Sequence, residues 1–205
     1  MPVLPLPRDP EATALPTAGE VVVFDLEWTS WEGSHARGWS EPWEWREVVQ
    51  FGAVRADAGD GFRVVAEMEA LVVPARNPRL SDYFTRLTGI DSTHLAANGG
   101  SFADAQDRFA AFCGPTAPLF MNGADGMILR ENCALNGLRY PFAEDRAWNI
   151  RPLLAKVTGL EPGRLVSCTL PEVLGIPDVP GRHTGLGDAY AITAALAELR
   201  RRGLL

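Results

Sequence analysis

Residues 20–28 read EVVVFDLEW, and the organisation of the chain follows from that run. Val21, Val22, Val23, Phe24 and Leu26 make an apolar, β-branched segment of the kind that forms a central strand. Side chains alternate along a strand, so Asp25 and Glu27 leave on one face near its end. Two carboxylates placed this way repel each other and lose hydration unless a cation or a proton compensates them. Hard divalent ions take such oxygen ligands. A strand end that opens to water, with both acids hydrated, accounts for the same pair.

Two further strand candidates, EVVQFGAVRA and FRVVAEMEALVV, flank the turn-like DAGDG and complete a meander. Between the first two strands lies TSWEGSHARGWSEPWEWR, a glycine- and tryptophan-rich insertion without a clean period. Pro74 to Pro78 break the third strand, and the character of the chain then changes. SDYFTRLTG reads as a short helix capped by Ser81, and SFADAQDRFAAFCG as a longer one capped by Ser101. In the second, Phe102, Ala105, Phe109 and Phe112 form the apolar stripe. APLFMN is a short strand running into a helix from near Asp125 to near Gly137. AWNI is another short strand, LPEVLG a helical turn or two, and the last helix covers about Leu186 to Arg202. A strand meander followed by alternating helices and strands argues for one mixed-sheet α/β domain over residues 21–202. Residues 1–20 read as a loose lead-in without the pattern of a secretion signal, and 203–205 as a tail.

The 205 residues suit one domain, and 46% hydrophobic against 22% charged residues excludes a wholly disordered chain. No apolar run reaches the roughly 18 residues of a membrane span. Nineteen Lys+Arg against 26 Asp+Glu give −7, which argues against a nonspecific nucleic-acid coat. It does not argue against a nuclease, because four acids assigned to metal leave 26 − 4 = 22 against 19, or −3. The bases are nearly all arginine, so phosphate contacts would be forked. Cys113, Cys133 and Cys168 stand singly, which fits a reducing, cytoplasmic setting and gives no zinc spacing.

Three more groups stand out. Asp125 follows LFMN at the start of a helix, where a plain N-cap role explains it. Its position just past a strand end is also where α/β folds place ligands. In HTGLGDAYAITAALAEL, Asp188 is in line with Ile192, Ala195 and Leu199 on the inner stripe of the last helix, so its carboxylate needs a partner. His183 lies five residues earlier in a glycine-rich stretch, where a surface loop histidine is the ordinary reading.

As a set, these residues resemble the DEDDh class of 3′–5′ exonucleases, named for four acids and a histidine. Asp25 and Glu27 in FDLEW match the first motif, Asp125 in FMNGAD the second, and His183 and Asp188 in HTGLGD the third. EVVQFGAV, PARNPRLSDYFTRLTGI, AWNI and GRHTGLGDA are similar to the branch of eri-type RNA exonucleases and bacterial KapD-like proteins. The resemblance spans roughly Val21 to Leu199. It implies a ribonuclease H-like fold, with a mixed five-stranded sheet in the order 3-2-1-4-5 flanked by helices. Two departures stand out: Ala124 precedes Asp125 where relatives often carry a bulkier residue, which would loosen the nucleotide pocket, and the tryptophan-rich insertion has no clear counterpart.

The resemblance also implies a chemistry. Two magnesium or manganese ions would be held by Asp25, Glu27, Asp125 and Asp188, with Asp25 bridging them and His183 taking the proton from the attacking water. Single-stranded nucleic acid 3′ ends would be the partner, RNA slightly preferred, with nucleoside 5′-monophosphates as products from a monomer or homodimer. Leu26, Trp28 and Thr29 would line the terminal nucleotide pocket. Trp31, Trp39, Trp43 and Trp45 either stack on bases or anchor the insertion. Leu80, Phe84 and Leu87 are expected to pack their helix on the sheet. Arg130, Arg139 and Arg182 are candidates for phosphate contact, and a solvated helix face explains Arg130 equally well. DNA ends or very short oligonucleotides are the alternative substrates, and a catalytically silent nucleic-acid-binding or scaffold protein is the alternative class.

Overall fold

The structure is a computed structural model that describes residues 9–143, 145–177 and 179–205. Strand β1 (Glu20–Trp28) pairs antiparallel with β2 (Val48–Asp57), which pairs antiparallel with β3 (Arg63–Leu71). Two seven-residue helices follow, α1 (Asp82–Thr88) and α2 (Ser92–Asn98), then α3 (Phe102–Cys113). Strand β4 (Leu119–Met121) lies parallel to β1 on its other edge and leads into α4 (Asp125–Leu135). Strand β5 (Ala147–Asn149) is parallel to β4 and continues into α5 (Arg151–Thr158). The short α6 (Leu170–Leu174) precedes the long α7 (Gly185–Arg201). The sheet order is β3-β2-β1-β4-β5, the order that the resemblance implies for the mixed sheet read from the sequence. No helix among the described residues is long and apolar enough to cross a membrane.

The alternation of β1 divides the core into two layers. Val21 and Val23 face Ile192, Leu196 and Leu199 of α7 and Leu154 of α5. Val22, Phe24 and Leu26 face Phe102 and Phe109 of α3 and Ile128 and Leu129 of α4. Each such side chain, wholly removed from water, contributes about 1.5–3 kcal/mol of transfer free energy. Asp25 and Glu27 continue the face that begins with Val21 and Val23, so they meet the layer containing α7. A third, smaller cluster of Leu80, Phe84, Ile90, Leu95 and Val49 seats α1 and α2 beside the sheet.

Within the stretch expected as a loose lead-in, residues 1–8 lie outside the described residues, whereas 9–12 are fixed to the far sheet edge. Glu11 bridges in parallel to Asn149, the Ala12 amide donates to the Asn149 carbonyl at 2.9 Å, and Ala12 is buried. The Asp9 carboxylate accepts from the Met127 amide at 2.8 Å and pairs with the Arg130 guanidinium. Arg130 is therefore neither a phosphate contact nor part of a solvated face. It is 9% exposed, stacks over Tyr140 and is neutralised from the amino-terminal segment.

Candidate active site

The site forms where β1 meets the start of α7, and two glycines allow the approach. Gly52 on β2 stands opposite Asp25, and a Cβ there would lie 1.9 Å from backbone atoms of Gly185 and Leu186. A Cβ on Gly185 would in turn meet Gly52 and the Asp25 carbonyl at 2.9 Å. Any larger residue at either position would push the helix off the sheet. The approach is fixed by Gln50, whose Oε1 accepts from the Gly185 amide at 2.7 Å. Thr184 caps α7 by accepting from the Gly187 amide at 3.1 Å. One turn in, Asp188 is 6% exposed and faces Asp25, itself 7% exposed. Oxygens of Asp25, Glu27 and Asp188 lie within 4.8 Å of one another, so the structure gathers these three sequence candidates into one group.

Asp125 joins the same cleft from β4 and α4, and its role differs from the N-cap expected. Ala124 occupies the cap position and makes no side-chain cap hydrogen bond. Asp125 is the first helical residue, and its Oδ1 reaches across to accept from the Leu26 amide of β1 at 3.0 Å. That bond pins the second carboxylate strand end to the first. Behind the cluster runs a polar chain that the sequence did not reveal. Arg151 donates to the Asn122 side chain at 3.2 Å, and Asn122 donates to Leu165 O at 2.8 Å and Ser167 Oγ at 3.3 Å. Ser167 donates to Asp25 Oδ1 at 3.1 Å. The signal for Arg151 was present, since it follows AWNI immediately, but nothing in the local pattern ties Ser167 to a strand 142 positions away.

These surroundings disfavour ionised carboxylates. Burial raises the Asp25 carboxyl well above the usual range, and the charges of Asp125, Asp188 and Glu27 raise it further. Burial and then the Asp188 and Asp125 charges do the same to Glu27. Burial pushes Asp188 up to about 7 and Asp125 up to about 6, the latter against the Leu26 hydrogen bond. None of Asp25, Glu27 or Asp188 takes part in an ion pair among the described residues. Carboxylate oxygens brought together with only Arg151 and Arg182 nearby as positive charge suit a hard divalent cation, and the residues present fit such an ion.

His183 sits over the other side of the cleft in the left-handed region, φ +60°, an uncommon conformation for a residue with a Cβ. Its amide donates to Asp188 Oδ1 at 3.3 Å, so the loop and the helix are coupled. Partial burial, and then Arg182, lower the imidazole pKa. Arg182 itself donates to the Cys168 carbonyl at 2.8 Å and lies 3.6 Å from Glu172, while Arg139 is exposed on another face.

The cleft has a volume of about 360 Å³. Leu26, Trp28, Tyr83 and Leu87 line its apolar side. Leu87 thus turns towards the cleft, unlike Phe84 and Leu80, which are buried as expected. Thr29 is buried beneath the insertion, donating to the Trp45 carbonyl and accepting from the Glu47 amide at 3.0 Å. The tryptophans divide their work. Trp39 donates to the Thr29 carbonyl at 3.1 Å, packs 6.4 Å from Trp28 and still lines the cleft. Trp45 is covered by the Arg76 guanidinium at 3.9 Å, whereas Trp43 is 55% exposed.

Comparison with known proteins agrees with this geometry. The family model described as RNase_T, Exonuclease, matches residues 22–196. The 3′–5′ exonuclease Snipper of Drosophila melanogaster is 25% identical over 224 residues, covering 97% of this chain and 75% of the relative. The nuclease domain of 3′hExo, a DEDDh family member bound to rAMP, superposes with a TM-score of 0.77 at 20% identity, covering 93% of this chain and 96% of that one. E. coli Exonuclease I in complex with a dT13 oligonucleotide superposes at 0.67 and 18% identity, with 89% of this chain and 41% of that one covered. The chain belongs to the matched exonuclease family.

Proposed function

We propose that this protein removes nucleotides one at a time from the 3′ end of single-stranded nucleic acid, releasing nucleoside 5′-monophosphates, with RNA slightly preferred over DNA. The observation that carries the reading is the group of buried Asp25 and Asp188 with half-buried Glu27, all within 4.8 Å, and His183 on the same cleft. Bound there, a pair of magnesium or manganese ions supplies an activated water and charge relief at phosphorus. Asp25, Glu27 and Asp188 hold those ions, and Asp125 serves the second of them. Ser167 and the Leu26 amide orient Asp25 and Asp125. An imidazole nitrogen of His183, neutral near pH 7 because its pKa is lowered, takes the proton from the attacking water.

Leu26, Trp28 and Leu87 offer an apolar wall for the terminal base, and Ala124 leaves that pocket roomy. The preference for RNA is supported by the rAMP-bound relative and by the resemblance of several segments to the eri-type and KapD-like branch. DNA remains the competing substrate, since the dT13-bound relative has the same fold. The free cysteines suit a reducing, cytoplasmic setting. The test is digestion of end-labelled single-stranded RNA, DNA and a dinucleotide by the wild type and by Asp25→Asn. The reading requires magnesium-dependent release of the 3′ nucleotide that the folded variant loses. A variant that retains the wild-type rate refutes it.

A further inference from the structure

Beside the hard-ion carboxylates stands a second donor group of different chemistry. Cys168 Sγ, a ring nitrogen of His183 and a carboxylate oxygen of Asp188 lie within 4.8 Å of one another. They come from two segments already tied together, because Arg182 donates to the Cys168 carbonyl and the His183 amide donates to Asp188. Cys168 and His183 are both partly exposed to the cleft, so an ion from solvent reaches them. Thiolate and imidazole select a borderline-soft ion over magnesium, and three protein ligands with one open position form a common zinc arrangement. A tetrahedral zinc needs its ligand atoms roughly 3.3–3.8 Å apart, so the loop need close by no more than about 1–1.5 Å. Gly181, at φ +86°, and His183, at φ +60°, border the segment that would move.

We propose that Cys168, His183 and Asp188 form a zinc site that switches the enzyme off. Coordination expels the Cys168 thiol proton to solvent and occupies a nitrogen of His183 together with an oxygen of Asp188. The inhibitory part rests on the function proposed above, because it removes the residue assigned as base and a carboxylate assigned to the hard ions. The two occupancies share Asp188, so excess magnesium weakens zinc binding.

The site itself is testable without nucleic acid by titrating cobalt(II), as a spectroscopic substitute for zinc, into the full chain. The expected result is a thiolate-to-cobalt charge-transfer band that saturates at one equivalent and is bleached by zinc. The band disappears in Cys168→Ser and Cys168→Ala, with folding verified by circular dichroism. Binding weakens by about tenfold or more in His183→Ala. In the nuclease assay, Cys168→Ser loses at least about tenfold in zinc sensitivity relative to its own zinc-free rate. Absence of the band in the wild type, or its persistence in both Cys168 variants, overturns the proposal. A cobalt band in a protein that degrades no nucleic acid supports this site and refutes only the nuclease reading.

Discussion

Gly52→Ala tests whether the seating of α7 on the sheet creates the site. The new Cβ would lie 1.9 Å from the backbone of Gly185 and Leu186, and ordinary contact begins at 3.4 Å, so the start of α7 must retreat by 3.4 − 1.9 = 1.5 Å. The obstruction is backbone on both sides, so no side chain can swing away. Overpacking of this kind costs about 1–3 kcal/mol and more when backbone must shift, which lowers the melting temperature of a chain this size by roughly 5–10 °C. The catalytic effect is larger. The retreat strains the Gln50–Gly185 hydrogen bond and carries Asp188 away from Asp25. Displacements near 1 Å cost about a hundredfold in rate. The assay pairs thermal unfolding with magnesium-dependent release of labelled 3′ nucleotide, and calorimetric titration of manganese reads the carboxylate group directly. Gly100→Ala is the control, since nothing lies within 4 Å of a Cβ there and its φ is ordinary. A Gly52→Ala protein with unchanged melting temperature and full turnover refutes the reasoning.

The metal-free protein should lose stability as pH rises. Asp188 has its pKa raised from 3.8 to about 7, so the unfolded chain releases the proton first and the folded state is penalised progressively between those values. Melting scans from pH 4 to 8 in chelator should show that decline, Asp188→Asn should make it shallower while Asp25, Glu27 and Asp125 sustain the remainder, and magnesium should reverse it. Arg182 helps to lower the His183 pKa, so Arg182→Ala should move the acid limb of the rate profile upward in pH; an unmoved or downward-shifted limb contradicts the assignment. Asp9→Ala strands the buried Arg130 charge and should cost about 3–5 kcal/mol in urea unfolding, with a change under 1 kcal/mol showing that the amino-terminal segment is ornamental.

The sequence was legible where a periodic pattern coincides with a chemical requirement. EVVVFDLEW displayed both its burial and its carboxylate face, and the inner stripe of α7 placed Asp188 correctly. Two short helices, α2 and α5, escaped notice; α1, no longer than α2, was read from its Ser81 cap, whereas α5 has no side-chain cap to announce it. Arg130 was misread because its partner, Asp9, lies 121 positions away in a stretch whose prolines suggest looseness. Ser167 and Asn122 were invisible for a related reason. Their work is to hydrogen-bond across the fold, and a serine in a short turn carries no local sign of that.

β1 is hydrogen-bonded along both of its edges and buried on both of its faces. His183, in contrast, belongs to a partly exposed turn held chiefly by its own short bonds and by the Asp188 carboxylate. The site therefore joins an anvil that opens only when the whole molecule does to a hammer held by few bonds, chiefly those of His183 to Asp188 and of Arg182 to Cys168. If the proposed function holds, such a division would let a product nucleotide depart by raising the histidine loop while the acids keep their places.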